Sequence, residues 1–102
     1  MIHVVATITL KPGVRAGFLE AFARLTPLVR AEEGCIEYGA TVDEPTGMDV
    51  QQLAGEDAVV VVEKWASTAA LEAHLAAPHM DAYRQETADM TTGVTLLVLK
   101  PA

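Results

Sequence analysis

Cysteine is almost missing from this chain. Cys35 is the one thiol among 102 residues, so no disulfide can form within the chain, and no His/Cys cluster has zinc spacing. A single free thiol with no secretory segment leads to the expectation of a reducing, cytosolic location. Basic residues are also few, 7 against 14 acidic, a net charge of −7. Those present (Lys11, Arg15, Arg24, Arg30, Lys64, Arg84, Lys100) are scattered and form no patch. Such a surface repels a phosphate backbone and an anionic membrane, which argues against nucleic-acid and lipid-surface roles. Long apolar runs are missing too. The longest, Ala58 to Val62, is far short of the ~20 residues that span a bilayer, and its valines mark it as a strand. No repeat, low-complexity tract or linker breaks the chain.

What is present is a core. Hydrophobic residues make up 51% and charged residues 21%, the balance of a packed globule rather than a disordered segment. A chain of this length buries roughly 65% of its unfolded surface, enough for one domain over residues 1–102 without staples. Ile2, Val4, Ala6, Ile8 and Leu10 alternate with Val5, Thr7 and Thr9, the period of a strand, which Lys11-Pro12-Gly13 ends. From Val14 to Glu33 the period lengthens. Phe18, Phe22, Leu25 and Val29 form one helix face, widened by Leu19 and Leu28. Pro27 predicts a kink there, and Gly34 a left-handed cap.

Cys35 to Asp43 reads as a second strand, Glu44-Pro45-Thr46-Gly47 as a turn, and Met48 to Asp57 as a hairpin arm or loop. Val59 to Trp65 is a third strand, with Val59, Val61, Glu63 and Trp65 on one face. Ser67 or Thr68 caps a helix from Ala69 to Ala76, and Pro78 opens another that reaches about Ala88. Gly93 separates that helix from a last strand, Val94 to Lys100.

The order is the ferredoxin-like βαββαβ pattern, an α+β fold with helices on one face of an antiparallel sheet. The other face of such a sheet alternates with polar residues when it meets water. Here Val94, Leu96 and Val98 are apolar, Leu97 and Leu99 between them are apolar too, and residues 59–62 are all valine. A second cover is needed and the chain has no spare element. A homodimer with two sheets face to face, a dimeric α/β barrel, is the expected answer.

Three patches resemble the antibiotic biosynthesis monooxygenase family of small dimeric α/β-barrel proteins. Lys11-Pro12-Gly13 follows strand one; Glu32-Glu33-Gly34-Cys35-Ile36-Glu37-Tyr38 is similar to the family's E-x-G-C-x-x-Y junction; and Glu63-Lys64-Trp65-Ala66-Ser67, Ala70-Leu71-Glu72-Ala73-His74 and Pro78-His79-Met80 resemble its E-x-W-x-S, A-L-x-x-H and P-H patches. The resemblance covers nearly the whole chain, and the segment Met48 to Glu56 departs from the family's short hairpin. It implies oxygenation of a small phenolic or quinol substrate by molecular oxygen, without metal, flavin or haem. The family also holds an isomerase of a phosphorylated sugar and haem-degrading members, so the fold follows from it more firmly than the reaction.

His74 and His79 are the candidate catalytic bases, since a base that strips a phenol proton makes an anion able to give an electron to oxygen, and histidine titrates near working pH. The structural alternative for His74 is a carbonyl bond at a helix end. His79, Tyr83 and Glu86 share a helix face by spacing. Trp65 is either a stacking wall for an aromatic substrate or a core residue. Glu63, a carboxylate among valines, either bonds a histidine and sets its tautomer or pairs with an arginine, the expected arrangement. Tyr38 and Tyr83 are candidate polar anchors for substrate; Cys35 has no adjacent base and reads as a small hydrophobe.

The haem-degrading branch needs an asparagine, a tryptophan and a ligating histidine where this chain has Ala6, His74 and Arg84. The polyketide-type branch has an asparagine where this chain has Val61. The segment Met48 to Glu56, with Gly47 and Gly55 as hinges at its two ends, is either a lid or an arm reaching across the dimer. The expectation is a cytoplasmic, cofactor-independent monooxygenase. An isomerase using the same histidines and a non-catalytic dimeric binder are the alternatives.

Overall fold

The computed structural model describes residues 1–102. Its elements in chain order are β1 (Ile2–Leu10), α1 (Arg15–Arg30), β2 (Cys35–Thr41), β3 (Ala58–Trp65), α2 (Thr68–Leu75), α3 (Pro78–Thr87) and β4 (Thr91–Leu99). The strands form one antiparallel sheet in the order β2-β3-β1-β4, the ferredoxin-like arrangement. Val4 lies opposite Glu63 on β3 and Val98 on β4, which puts the three on one face. Alternation then sends Val4, Ala6, Ile8, Leu10, Val59, Val61 and Trp65 toward the helices, where all are buried.

The apolar face of α1 closes this core with Phe18, Phe22, Leu25 and Val29, as its spacing predicts. Leu28 does not widen that face; it is exposed. Phe22 stacks on Tyr38, with ring centroids 5.3 Å apart, and edge-on against Tyr83 at 6.2 Å. Burying each such ring contributes roughly 1.5–3 kcal/mol.

Two glycines sit elsewhere than expected. The first helix runs through Pro27 and ends at Arg30, where the Ala31 N–H bonds the Pro27 carbonyl. Gly34 is left-handed, at φ +84°, but it belongs to the turn into β2 rather than to the helix end. A Cβ there would stand 2.6 Å from the Ala70 Cβ, so the missing side chain lets α2 come down onto this turn. Gly93 does not separate α3 from the last strand; it lies inside β4 opposite Thr9, beside the irregularity between Thr9 and Leu10. A Cβ at Gly93 would come within 3.1 Å of the Thr9 hydroxyl.

The second strand stops at Thr41, short of Asp43, because the Asp43 carboxylate turns to accept the N–H groups of Ala54 and Gly55 at 2.9 and 2.8 Å. Those two bonds hold its pKa below the usual aspartate value. Gln51 ties the loop inside, accepting from Thr46 and donating to the Glu44 carbonyl. The loop therefore carries its own hydrogen bonds while Met48, Val50 and Leu53 stay exposed.

Opposite the helices, Val5 pairs with Val62 and Leu97 in one apolar band across three strands. Val62 is exposed, as are Leu97 and Leu99. No element of the chain covers this face; all three helices pack on the other.

Candidate active site

A cavity of about 400 Å³ opens between the helix side of the sheet and helices α2 and α3. Its floor is Ala6, Ile8 and Val61; Phe22 closes one side, and Met80, Tyr83 and Thr87 of α3 form the roof. Along β4 no helix covers the sheet, and the exposed Val94 and Leu96 stand at the mouth. Eleven of the 16 lining residues are hydrophobic, a composition suited to a small aromatic molecule. The polar groups on the walls include Tyr38, Glu63, His74, Tyr83 and Arg84.

His74 is placed by the packing of α2. Ser67 caps that helix, its hydroxyl accepting the Ala70 N–H at 3.1 Å, and Leu71 and His74 face inward. The imidazole lies against the Trp65 indole, centroids 4.6 Å apart, and edge-on to Tyr38 at 5.5 Å. It makes no helix-end carbonyl bond. Its Nδ1 instead meets Glu32 Oε2 at 2.9 Å. His79, at the start of α3, brings its Nε2 to that same oxygen, also at 2.9 Å. The two histidines therefore converge on a carboxylate. His74 reaches the cavity wall, whereas His79 lines a separate groove beside Leu25, Tyr83 and Glu86, where Glu86 pairs with Arg24.

Trp65 is fully buried in the core and does not line the cavity, so it cannot stack on a ligand there. Its indole N–H donates to Glu63 Oε1 at 2.9 Å. That bond replaces the expected arginine pair of Glu63. The guanidinium of Arg30 donates to the Tyr38 carbonyl, and Arg84 is engaged by Asp81 and the Leu75 carbonyl. Burial raises the Glu63 pKa, while the Trp65 N–H and the neighbouring His74 oppose that rise.

Tyr38 and Tyr83 both have pKa values raised well beyond the ordinary phenol range, chiefly by burial and, for Tyr38, next by the Glu63 charge. Both hydroxyls stay protonated and are available as donors. Burial and the charges of Glu32 and Glu63 push the Cys35 thiol up, which suppresses its thiolate. No group of three or more His, Cys, Asp or Glu residues has the geometry to hold a metal ion.

Four of the six side chains singled out in the sequence (Tyr38, Glu63, His74 and Tyr83) meet at this cavity; Trp65 and His79 support it from outside. The residue missed is Glu32. It belongs to the E-x-G-C patch, but its partners lie 42 and 47 positions away, beyond any local pattern.

Fold and site together define a small α+β protein with one apolar, histidine-bearing cavity under its sheet. The family model for antibiotic biosynthesis monooxygenase matches residues 1–86, and the chain belongs to that family. It is similar to the probable quinol monooxygenase YgiN of Escherichia coli K12, with 39% identity across 99% of this chain and 98% of that protein. Among solved structures, Rv0793 from Mycobacterium tuberculosis superposes with a TM-score of 0.79 at 25% identity, covering 99% of this chain and 94% of the other. A conserved protein from Methanosarcina mazei Go1 reaches 0.83 at 20% identity over 99% and 92%, a likeness of fold.

Proposed function

We propose that the chain is a homodimeric, cofactor-independent monooxygenase of a small quinol or phenol. The observation that carries this reading is His74, a buried imidazole opening onto an apolar cavity, beside a carboxylate that can balance the charge it gains. The substrate ring lies among Ile8, Phe22, Val61 and Met80, and its oxygens reach His74 and the tyrosine hydroxyls. His74 takes the phenolic proton; the O–H electron pair stays on the ring as a phenolate, which reduces oxygen by one electron. The resulting radicals then combine. A quinol that ends as a hydroxylated quinone gives up four electrons, two for the new C–O bond and two for the quinone. One molecule of oxygen takes all four and leaves its second atom as water, so no external reductant enters the balance. The similarity to YgiN supports the quinol as substrate class.

Oxygen uptake by the purified protein over a panel of benzo- and naphthoquinols tests this. Uptake with one oxygen atom retained in the product supports the reading. Proton exchange without uptake would make the protein an isomerase, and binding alone a ligand carrier.

The dimer rests on the uncovered band of Val5, Val62, Leu97 and Leu99. Leu97 faces this band, whereas Val98 lies on the helix side. Leu97→Asp should therefore turn a species of twice 10.8 kDa into monomer or unfolded chain, because an unpaired buried charge typically costs several kcal/mol. Sedimentation at micromolar concentration reads the result. Wild-type protein running as a stable monomer would remove the dimer from this reading.

A further inference from the structure

We infer that Glu32 is a positioning residue which, braced by His79, fixes His74 with its ring proton on Nδ1 and leaves Nε2 as the proton acceptor in the cavity. This rests on the reading of His74 as the base.

A neutral imidazole has one nitrogen that donates and one that accepts, and its neighbours decide which is which. An ionised carboxylate only accepts. Glu32 Oε2 at 2.9 Å from Nδ1 therefore selects the tautomer that carries its proton there. Packing against Trp65 and Tyr38 limits how the ring can turn, so the two constraints act on one orientation. Nε2 is then the basic nitrogen, on a residue that lines the cavity.

Glu32 is placed for this and for little else. It sits in the turn between α1 and β2, which Gly34 allows to lie against α2. It has no lysine or arginine partner: Arg30 is engaged with the Tyr38 carbonyl and Lys64 pairs with Glu37. Its two partners are imidazoles from two different helices, on a side chain only 14% exposed. A single donor would leave the carboxylate free to rotate. The second N–H, from His79 Nε2, pins the same oxygen from α3. When a substrate O–H bond breaks and its proton moves to Nε2, the electron pair stays on the substrate oxygen. His74 becomes an imidazolium whose Nδ1–H already points at a negative charge. At metal sites, losing an outer group that orients an imidazole typically costs about 10–100-fold, and an effect of that size is expected here.

Histidine-ring 15N–1H NMR on the substrate-free protein, at a pH where the ring is neutral, reads the tautomer directly. The expected wild-type pattern for His74 is protonated Nδ1 and bare Nε2. Glu32→Gln, which can donate as well as accept, should mix the two tautomers and lower kcat on a confirmed quinol by about 10–100-fold, with KM changed far less. His79→Ala should shift the spectrum in the same direction by less, and His79→Gln, which keeps an N–H donor, should restore it.

A purely structural role would lower stability and leave the tautomer alone. Wild-type His74 protonated on Nε2, or a spectrum and kcat unmoved in Glu32→Gln, overturns the assignment. The two readings fail separately. The expected tautomer change with no loss of turnover in His74→Gln supports the Glu32 assignment and removes His74 as base. An inactive His74→Gln beside an unchanged Glu32→Gln spectrum does the reverse.

Discussion

His74→Gln should fold and assemble as the wild type does and lose about 10²–10⁴ in turnover, the usual worth of a positioned general base. Glutamine fills most of the space beside Trp65 and keeps an amide N–H for Glu32, so what it removes is the ability to take up a proton. The loss belongs in kcat, because the cavity walls that hold an apolar ring (Ile8, Phe22, Val61, Met80) are untouched. His79→Gln should cost far less, since His79 lies outside the cavity and meets the reacting groups only through Glu32. Steady-state oxygen uptake at saturating quinol separates the two. Near-wild-type turnover in His74→Gln would leave a substrate that ionises unaided as the surviving mechanism.

A second large effect is expected at Trp65, on stability rather than on substrate. Trp65→Ala should cost about 3–5 kcal/mol, a large share of the ~5–15 kcal/mol that holds a domain together. Trp65→Phe isolates the indole N–H. It leaves Glu63 Oε1 without its partner and should cost about 1–3 kcal/mol at neutral pH.

The sign of the pH dependence follows from Glu63. Its pKa is raised in the fold above the usual 4.5, so its charged form opposes folding, and the fold loses stability as pH rises from 4.5 through the raised value. The Trp65 N–H works against that rise. Without it the loss deepens, so the deficit of Trp65→Phe should grow toward neutral pH and shrink toward pH 4.5, as the carboxyl takes its proton at the raised value. Urea unfolding at the two pH values measures it. A raised KM with unchanged stability would return Trp65 to the substrate wall.

The strands and the first helix are legible in the chain because burial imposes periods on it. Two-residue alternation placed Val4, Ala6, Ile8 and Leu10 on one face, and the spacing of Phe18, Phe22, Leu25 and Val29 drew the helix stripe. Glycine is less legible. Gly34 and Gly93 both allow close approach of another element, one to Ala70 and one to Thr9, and a local pattern cannot tell that need from a helix cap or a break. The site was half legible for a related reason. Residue type identifies an imidazole or an indole as useful, but not which wall it faces. Trp65 turned to the core and His74 to the cavity, from neighbouring elements. Glu32 had no local signal, since its role exists only once α1, α2 and α3 are packed.

The pairing of β1 carries a consequence for how the molecule comes into being. Its two partners, Ala58–Trp65 and Thr91–Leu99, lie far along the chain, so the central strand closes its ladders only through long loops. Sheets built this way form slowly, because the entropy of loop closure is lost before the distant contacts form. In the single chain, the strand that completes the sheet is also its most exposed, with Val94, Leu96, Leu97, Val98 and Leu99 uncovered. Until it docks, and afterwards at the sheet's edge, this β-prone stretch is a template for pairing with other chains. Solubility during expression is therefore a race between docking of β4 and encounter with another unfolded copy, and slower synthesis at lower temperature favours the first.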